Sequence, residues 1–479
     1  MNTFLYGDEY PHWQNFFHRA AIRLAVGYPI VAAVSISAAD VFALLILIFW
    51  LLSGHWRERF DFVKTNPLIL FSLPLIIWTF SGVFRDWAIT GDYKVFLEST
   101  RYWWGHYPLF FSLILATLFF KKETQNTVCS SINLAIMLLW ILVLLFGFDL
   151  LPEPYRLVKL SSLNLYRNTI CFGMGLVLWA GLWICVPFTS KNIPLVRRFL
   201  PLALLLGMKE ATRTSLIDLL LFPYRKRRYV LTIYLLLLRW GIVCFICYYL
   251  FWINPSRTAQ MSFLATISVL LLNWNWKKGG LLAVIFCTVI ITLAQQHSPI
   301  FERKAVRTIN DVKTFVADIL HNTDTLQSHD RLMIWKEMFP SICKKPVFGY
   351  GMELGRKEVL IQTLKTPKQL VDPHNEFVNI TLEFGLVGLT VFLLWLLFFF
   401  NHFRNGSSAW EHLGLLIATA IIIDCLYNCA LSYNRESHLF SVLIGILYVT
   451  NYQYRLKSAL KVFIKKDKNI NTKSSPINQ

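Results

Sequence analysis

The chain has 479 residues, 55% of them hydrophobic and 15% aromatic, with 47 Lys+Arg against 28 Asp+Glu and a formal net charge of +19. A soluble domain covers its core with a mostly polar exterior. Here apolar runs with few internal charges recur from about Ala21 to Thr450, which excludes a soluble enzyme and indicates an all-α polytopic membrane protein with the lipid bilayer as partner. The positive charge sits in short clusters between those runs without Arg–aromatic interleaving, so no nucleic-acid partner is expected.

The first stretch, MNTFLYGDEYPHWQNFFHRA, is polar and aromatic and lacks the short apolar core and small-residue cleavage site of a signal peptide. The first apolar run is therefore expected to stay as an anchor. About twelve spans follow: 21–38, 40–53, 66–83, 105–120, 128–148, 169–188, 232–252, 259–274, 281–296, 378–400, 411–432 and 437–452. Several fall short of the roughly 20 residues of a perpendicular helix, so their boundaries are loose. The first two separate at SISAAD, because one helix over 21–53 would be far too long.

Basic clusters lie at Arg57–Arg59, Lys121–Lys122, Lys191 with Arg197–Arg198, Arg225–Arg228, Lys277–Lys278, His402–Arg404 and in the tail KVFIKKDKNINTK. With the N-terminus inside and alternate crossings, all seven fall on the cytoplasmic side. The connections 84–104, 149–168, 253–258, 297–377 and 433–436 then face outward. Parity requires that 199–224 cross twice or not at all, and its two short apolar halves around KEATR read as an amphipathic hairpin or in-plane helix on the cytoplasmic face. The expected organisation is nine spans within 1–296, an external loop over 297–377, three spans within 378–452 and a cytoplasmic basic tail over 453–479. The long loop contains two helical stretches, FERKAVRTINDVKTFVADIL and RLMIWKEMFPSI, and its aromatic and leucine content points to a folded cap. Of nine cysteines only Cys343 lies in this polar stretch, so no intrachain disulfide framework is expected. The CxxC of Cys244 and Cys247 sits inside a helix-length apolar run and reads as packing.

Three outward-facing stretches carry residues suited to chemistry. In INPSRTAQ, Ser256 can cap a helix whose first residue is Arg257; backbone N–H groups there favour an anion and Arg adds a two-pronged donor. The alternative is an arginine reaching the interface. In RLMIW, Arg331 and Trp335 share a helix face at i, i+4 spacing, and the run ends in Pro346 and the turn Gly349–Gly351. The plain alternative is a surface helix with a packed Trp. In DPHNEF, Asp372 is placed to cap a helix with Pro373 at its first position, setting His374 in the first turn with Asn375 and Glu376 beside it. A histidine there is either interfacial or a proton-transfer group. Two arginines and a histidine on one side suit an anionic phosphate ligand and a proton to be moved. The sequence holds no phosphate-loop or dinucleotide glycine motif, no metal-binding spacing of His and carboxylates, and no Asp-x-Asp, so neither a cofactor nor a metal is expected.

The ordered set SRTAQ, RLMIW, P-x-x-G-x-G and HNEF leading to EFGLVG, with the large loop between spans nine and ten, resembles the O-antigen ligase and polymerase superfamily, most strongly over residues 230–400. The resemblance implies an inner-membrane, inverting, metal-independent glycosyltransferase with a periplasmic active site. Its donor would be a glycan on undecaprenyl diphosphate and its acceptor lipid A-core, or, in related enzymes, a growing glycan or a protein. It implies that Arg257 and Arg331 hold the diphosphate and that His374 orients or deprotonates the acceptor hydroxyl. Trp335, Asn375 and Glu376 are further expected in the substrate site, the last two orienting His374 by adjacency alone. Arg213, in EATRTSL, repeats the SRT pattern superficially but falls on the cytoplasmic side in this topology. A ligase is the first reading and a polymerase its nearest rival. A transporter or flippase is the reading from another class; against it stand the sparse charges within the spans and the clustering of polar candidates at one face.

Overall fold

The structure, a computed structural model, describes residues 11–104, 107–147, 169–185, 240–254, 256–321, 331–352, 373–404, 406, 408–429, 437–454 and 456. The segment 199–224 with Arg213, the cluster Arg225–Arg228, the connection 149–168 and Asp372 lie outside them. All regular structure among the described residues is helical. In chain order the helices are α1 His12–Val34, α2 Ile36–Leu52, α3 Trp56–Thr65, α4 Pro67–Thr90, α5 Tyr93–Trp104, α6 Tyr107–Leu118 and α7 Lys122–Gly147. Then come α8 Thr169–Cys185, α9 Trp240–Ile253 ending in a π turn, α10 Arg257–Trp274, α11 Trp276–His297 and α12 Pro299–His321. Last are α13 Arg331–Lys344, α14 Glu376–Arg404, α15 Ala409–Tyr427 and α16 over 437–454.

Four of these, α4, α11, α14 and α15, are long and apolar enough to cross a bilayer, and α2 with α3 makes a fifth if that bent pair is one span. On α11 the side chains of Leu281, Val284, Ile285 and Val289 are exposed, a surface suited to lipid. The expected break inside SISAAD is present. Ser35 adopts an extended backbone and its Oγ accepts the Ala38 N–H at 3.3 Å, starting a new helix.

The cluster at Arg57–Arg59 is more than an interfacial charge. Between α2 and α3 the chain turns by 110° through Gly54 and His55, both at positive φ. Arg59 is buried in that corner. It donates to Trp50 O at 2.7 Å and Ser53 Oγ at 2.6 Å, and its guanidinium lies 4.4 Å from the Trp50 ring centre. A buried cation held by a helix C-terminal carbonyl and an aromatic face stabilises the bend.

The core runs along α14. Phe392, Trp395, Phe399 and Phe403 recur at helical spacing and are all buried. Trp395 donates its indole N–H to Ser72 Oγ at 3.0 Å; Ser72 in turn pairs with the Tyr448 hydroxyl at 2.7 Å, and Asn66 donates to Tyr448 O. These bonds satisfy polar groups that could not be buried alone and lock α4, α14 and α16 together.

The two ends of the bundle differ in chemistry. At one end α3, the α6–α7 joint and the end of α16 meet: Phe62 packs on Phe120 and Tyr452, Gln125 donates to Phe119 O, and Lys122 lies over the Trp410 ring at 5.0 Å. The basic clusters at 57–59, 121–122 and 402–404 therefore gather at one end. The candidate site residues lie at the other.

Candidate active site

Arg257 is positioned by its own sequence. Ser256 caps α10, its Oγ accepting the Ala259 N–H at 3.3 Å, and Ser256 N donates to Asn254 Oδ1 at 2.8 Å. Gln260 reaches back to the carbonyls of Leu250 and Asn254 at 2.8 and 3.0 Å, fixing the joint between α9 and α10. Arg257 is exposed at the first helical position, beside the positive end of the helix dipole.

His374 is held by different means than its sequence suggests. The helix does not begin at Pro373. It begins at Glu376, and Asn375 is the cap: its Oδ1 accepts Val378 N–H at 3.1 Å. Asn375 also donates through Nδ2 to Leu426 O at 3.0 Å, so both ends of its amide bind the protein. His374 therefore precedes the helix, half-buried, at a φ of 51° that few residues with a Cβ adopt. The reason for the shift is tertiary. Asn375 caps its own helix and binds the last turn of α15 at the same time, which a cap at Asp372 would not do.

Trp335 joins the second motif to the third. Its indole N–H donates to Pro373 O at 2.9 Å, one residue before His374. Beneath it Ile334 and Met338 of α13 pack on Leu382 of α14, with Tyr350 and Val378 alongside. Arg331 opens α13 one turn before Trp335, so its backbone lies on the helix that touches the His374 turn.

Arg257 shares this end of the bundle. A Cβ on Gly173 of α8 would meet Ala259, while Gly181, eight residues on, faces Leu413 and Leu416 of α15. At about 1.5 Å per residue, α15 runs back from that level and finishes near the start of α10, where Leu426 holds Asn375. Glu376 at the start of α14 and Asp424 in the last turn of α15 are both buried.

Several residues at this end were not legible as site elements. The turn Pro346–Met352 lies along a break in α14 at Gly385 (φ 65°, ψ −165°) and pairs with it as a short ladder: Tyr350 N–H to Leu382 O at 2.8 Å, Gly351 N–H to Glu383 O at 3.1 Å, Leu386 N–H to Pro346 O at 2.7 Å and Val387 N–H to Val347 O at 3.2 Å. Arg85 of α4 clamps both sides, donating to Phe348 O and, at 2.7 Å, to Glu383 O. Asp86 accepts Ser99 Oγ–H and Met352 N–H, each at 2.9 Å. The signal was present: Arg-Asp in the apolar run TFSGVFRDWAIT is a charged pair at the end of a span, where such residues are costly unless used. Asp424 in IIIDCLY carried the same signal. Among the described residues no cluster of His, Cys, Asp and Glu could hold a metal ion.

Fold and site together define an all-helical, multi-pass membrane protein with its motif residues at one end of the bundle. Residues 241–393 match the family described as O-Antigen ligase, so this third of the chain is similar to that family and supports a relation to the O-antigen ligase superfamily. The matched region contains Arg257, Arg331, Trp335 and His374. No curated protein matches the chain.

Proposed function

We propose that this protein is an O-antigen ligase that moves a glycan from undecaprenyl diphosphate to lipid A-core at the periplasmic face of the bacterial inner membrane. The observation that carries the reading is the hydrogen bond from Trp335 to Pro373: within the region matching O-Antigen ligase, it joins the Arg331 helix to the His374 turn at the end of the bundle where Arg257 begins α10.

In this reading twelve spans and the loop over 297–377 hold the site at the periplasmic side, with both termini cytoplasmic. Arg257 and Arg331 bind the diphosphate and offset the charge that grows on it as the glycosyl bond breaks. His374 orients or deprotonates the acceptor hydroxyl, which attacks the anomeric carbon from the face opposite the diphosphate and inverts it. Asn375 keeps the histidine turn fixed, and the adjacent Glu376 helps to orient His374. The leaving diphosphate supplies the driving force, so neither nucleotide nor metal enters the reaction.

The test is the lipopolysaccharide profile of a strain lacking the gene, with carrier-linked glycan extracted alongside. Bare lipid A-core with polymer accumulating on the carrier supports a ligase. A core bearing a single repeat unit makes the enzyme a polymerase, and an unchanged profile removes lipid A-core as the acceptor.

A further inference from the structure

Helix α12 begins with three cations within five residues, Arg303, Lys304 and Arg307. Arg303 and Arg307 are i, i+4 neighbours, and Lys304 and Arg307 are i, i+3 neighbours. Like charges at these spacings oppose the helix they sit on. Glu302 is the acid beside them.

The fold does not swing this helix away from other positive charge; it fixes it there. Ser298, at the joint of α11 and α12, donates its hydroxyl to Phe251 O at 2.9 Å and accepts the Phe301 N–H at 3.2 Å. The Phe301 ring lies 5.9 Å from that of Phe251, in the turn that leads into Ser256 and Arg257. Lys304 is half-buried, and its ammonium is pushed down from the usual lysine range by burial, then by Arg257, Arg307 and Arg303. Two chain segments nearly fifty residues apart are thus pinned together, with Lys304 within electrostatic reach of Arg257 at the N-terminus of α10. Such an arrangement is stabilised by a multiply charged anion, whose oxygens accept several charge-assisted hydrogen bonds at once.

We propose that Lys304 and Arg307 complete, with Arg257 at the start of α10, a cradle for a lipid-borne phosphate group, the diphosphate of the polyprenyl-linked donor. The inference rests on the glycosyltransferase reading and extends its anion site onto the first turns of α12. Lys304 is the inner member, because it is the one shielded from solvent. Arg307 stands one turn further on and reaches the outer phosphate.

The experiment uses the full chain in lipid nanodiscs, with inorganic pyrophosphate titrated calorimetrically into wild type, Lys304→Met, Arg307→Met, the double variant and Lys304→Arg. The expected result is roughly ten-fold or greater weakening for the double variant and near-normal affinity for Lys304→Arg. Unchanged affinity in the double variant overturns the cradle. In steady-state transfer a rise in the donor KM identifies the donor diphosphate. A rise confined to the acceptor KM overturns that assignment in favour of a phosphate on the acceptor. Failure of this inference is separable from failure of the proposed function. If Arg257→Ala and His374→Ala abolish transfer while the α12 variants act as wild type, only the cradle is wrong. If pyrophosphate binding depends on Lys304 but wild type transfers no glycan, the cradle stands and the proposed function fails.

Discussion

Gly385 interrupts α14 where the turn Pro346–Met352 docks, and Gly385→Ala tests whether that junction is integral to the site. At φ 65° and ψ −165° the residue occupies a region essentially restricted to glycine, and a Cβ there would overlap the Val347 carbonyl. Holding alanine in such a conformation costs about 1–3 kcal/mol. Relieving the overlap by moving the turn loses the bonds Leu386 N–H to Pro346 O at 2.7 Å and Val387 N–H to Val347 O at 3.2 Å, each worth about 0.5–1.5 kcal/mol net. The combined cost is about 2–6 kcal/mol, felt where α13 and the His374 turn are anchored. The assay is thermal inactivation of purified protein in nanodiscs together with glycan transfer below the transition. Gly175→Ala is the control: nothing lies within 4 Å of its Cβ position, and alanine replaces glycine inside α8, so stability is unchanged or slightly raised. Gly385→Ala is expected to inactivate at clearly lower temperature and to transfer less glycan. A variant matching wild type in both would refute the claim that this break holds the site.

Four further outcomes are expected. Arg257→Ala, Arg331→Ala and His374→Ala each abolish transfer while the protein still inserts into the membrane, measured by lipopolysaccharide profile and membrane fractionation; wild-type transfer by the double arginine variant would overturn the site. Trp335→Phe keeps the ring but removes the donor to Pro373 O; losing about 1 kcal/mol of positioning should slow transfer about five-fold, with thermal stability nearly unchanged. Asp86→Ala leaves Ser99 Oγ and Met352 N–H without their acceptor, and two buried donors at about 1–3 kcal/mol each should lower the inactivation temperature. Transfer by the purified enzyme is expected to be the same with and without a chelator, and loss of activity restored by added divalent metal would refute metal-independent chemistry.

Local signals gave much of this protein away. Serine at position 256 starts a helix because a short hydroxyl can satisfy an N–H that the helix leaves free, and that cap was legible in the residues themselves; at SISAAD the break was legible from length, and the Ser35 cap was not. The apolar runs announced helices, and the motif order at SRTAQ, RLMIW and HNEF announced the similarity to O-antigen ligases found over residues 241–393. The helix start beside His374 was misjudged by three residues, most of a helical turn, for the opposite reason: Asp372–Pro373 is a good helix start by local rules, but Asn375 gains a second bond to Leu426, 51 positions away, that no local rule contains.

Composition, charge clusters and motif spacing by themselves determined that the chain is a helical membrane protein with a stretch similar to O-antigen ligases, and which arginines and histidine to examine, because these depend on properties each segment carries alone. Only the tertiary structure decided that the Pro346–Met352 turn pairs with a broken α14, that Arg85 and Asp86 clamp it across more than 260 positions, and that Ser298 and Phe301 pin the start of α12 to Phe251. Those arrangements arise from buried polar groups seeking partners wherever packing brings them, and a linear sequence does not record which distant carbonyl or charge will be within reach.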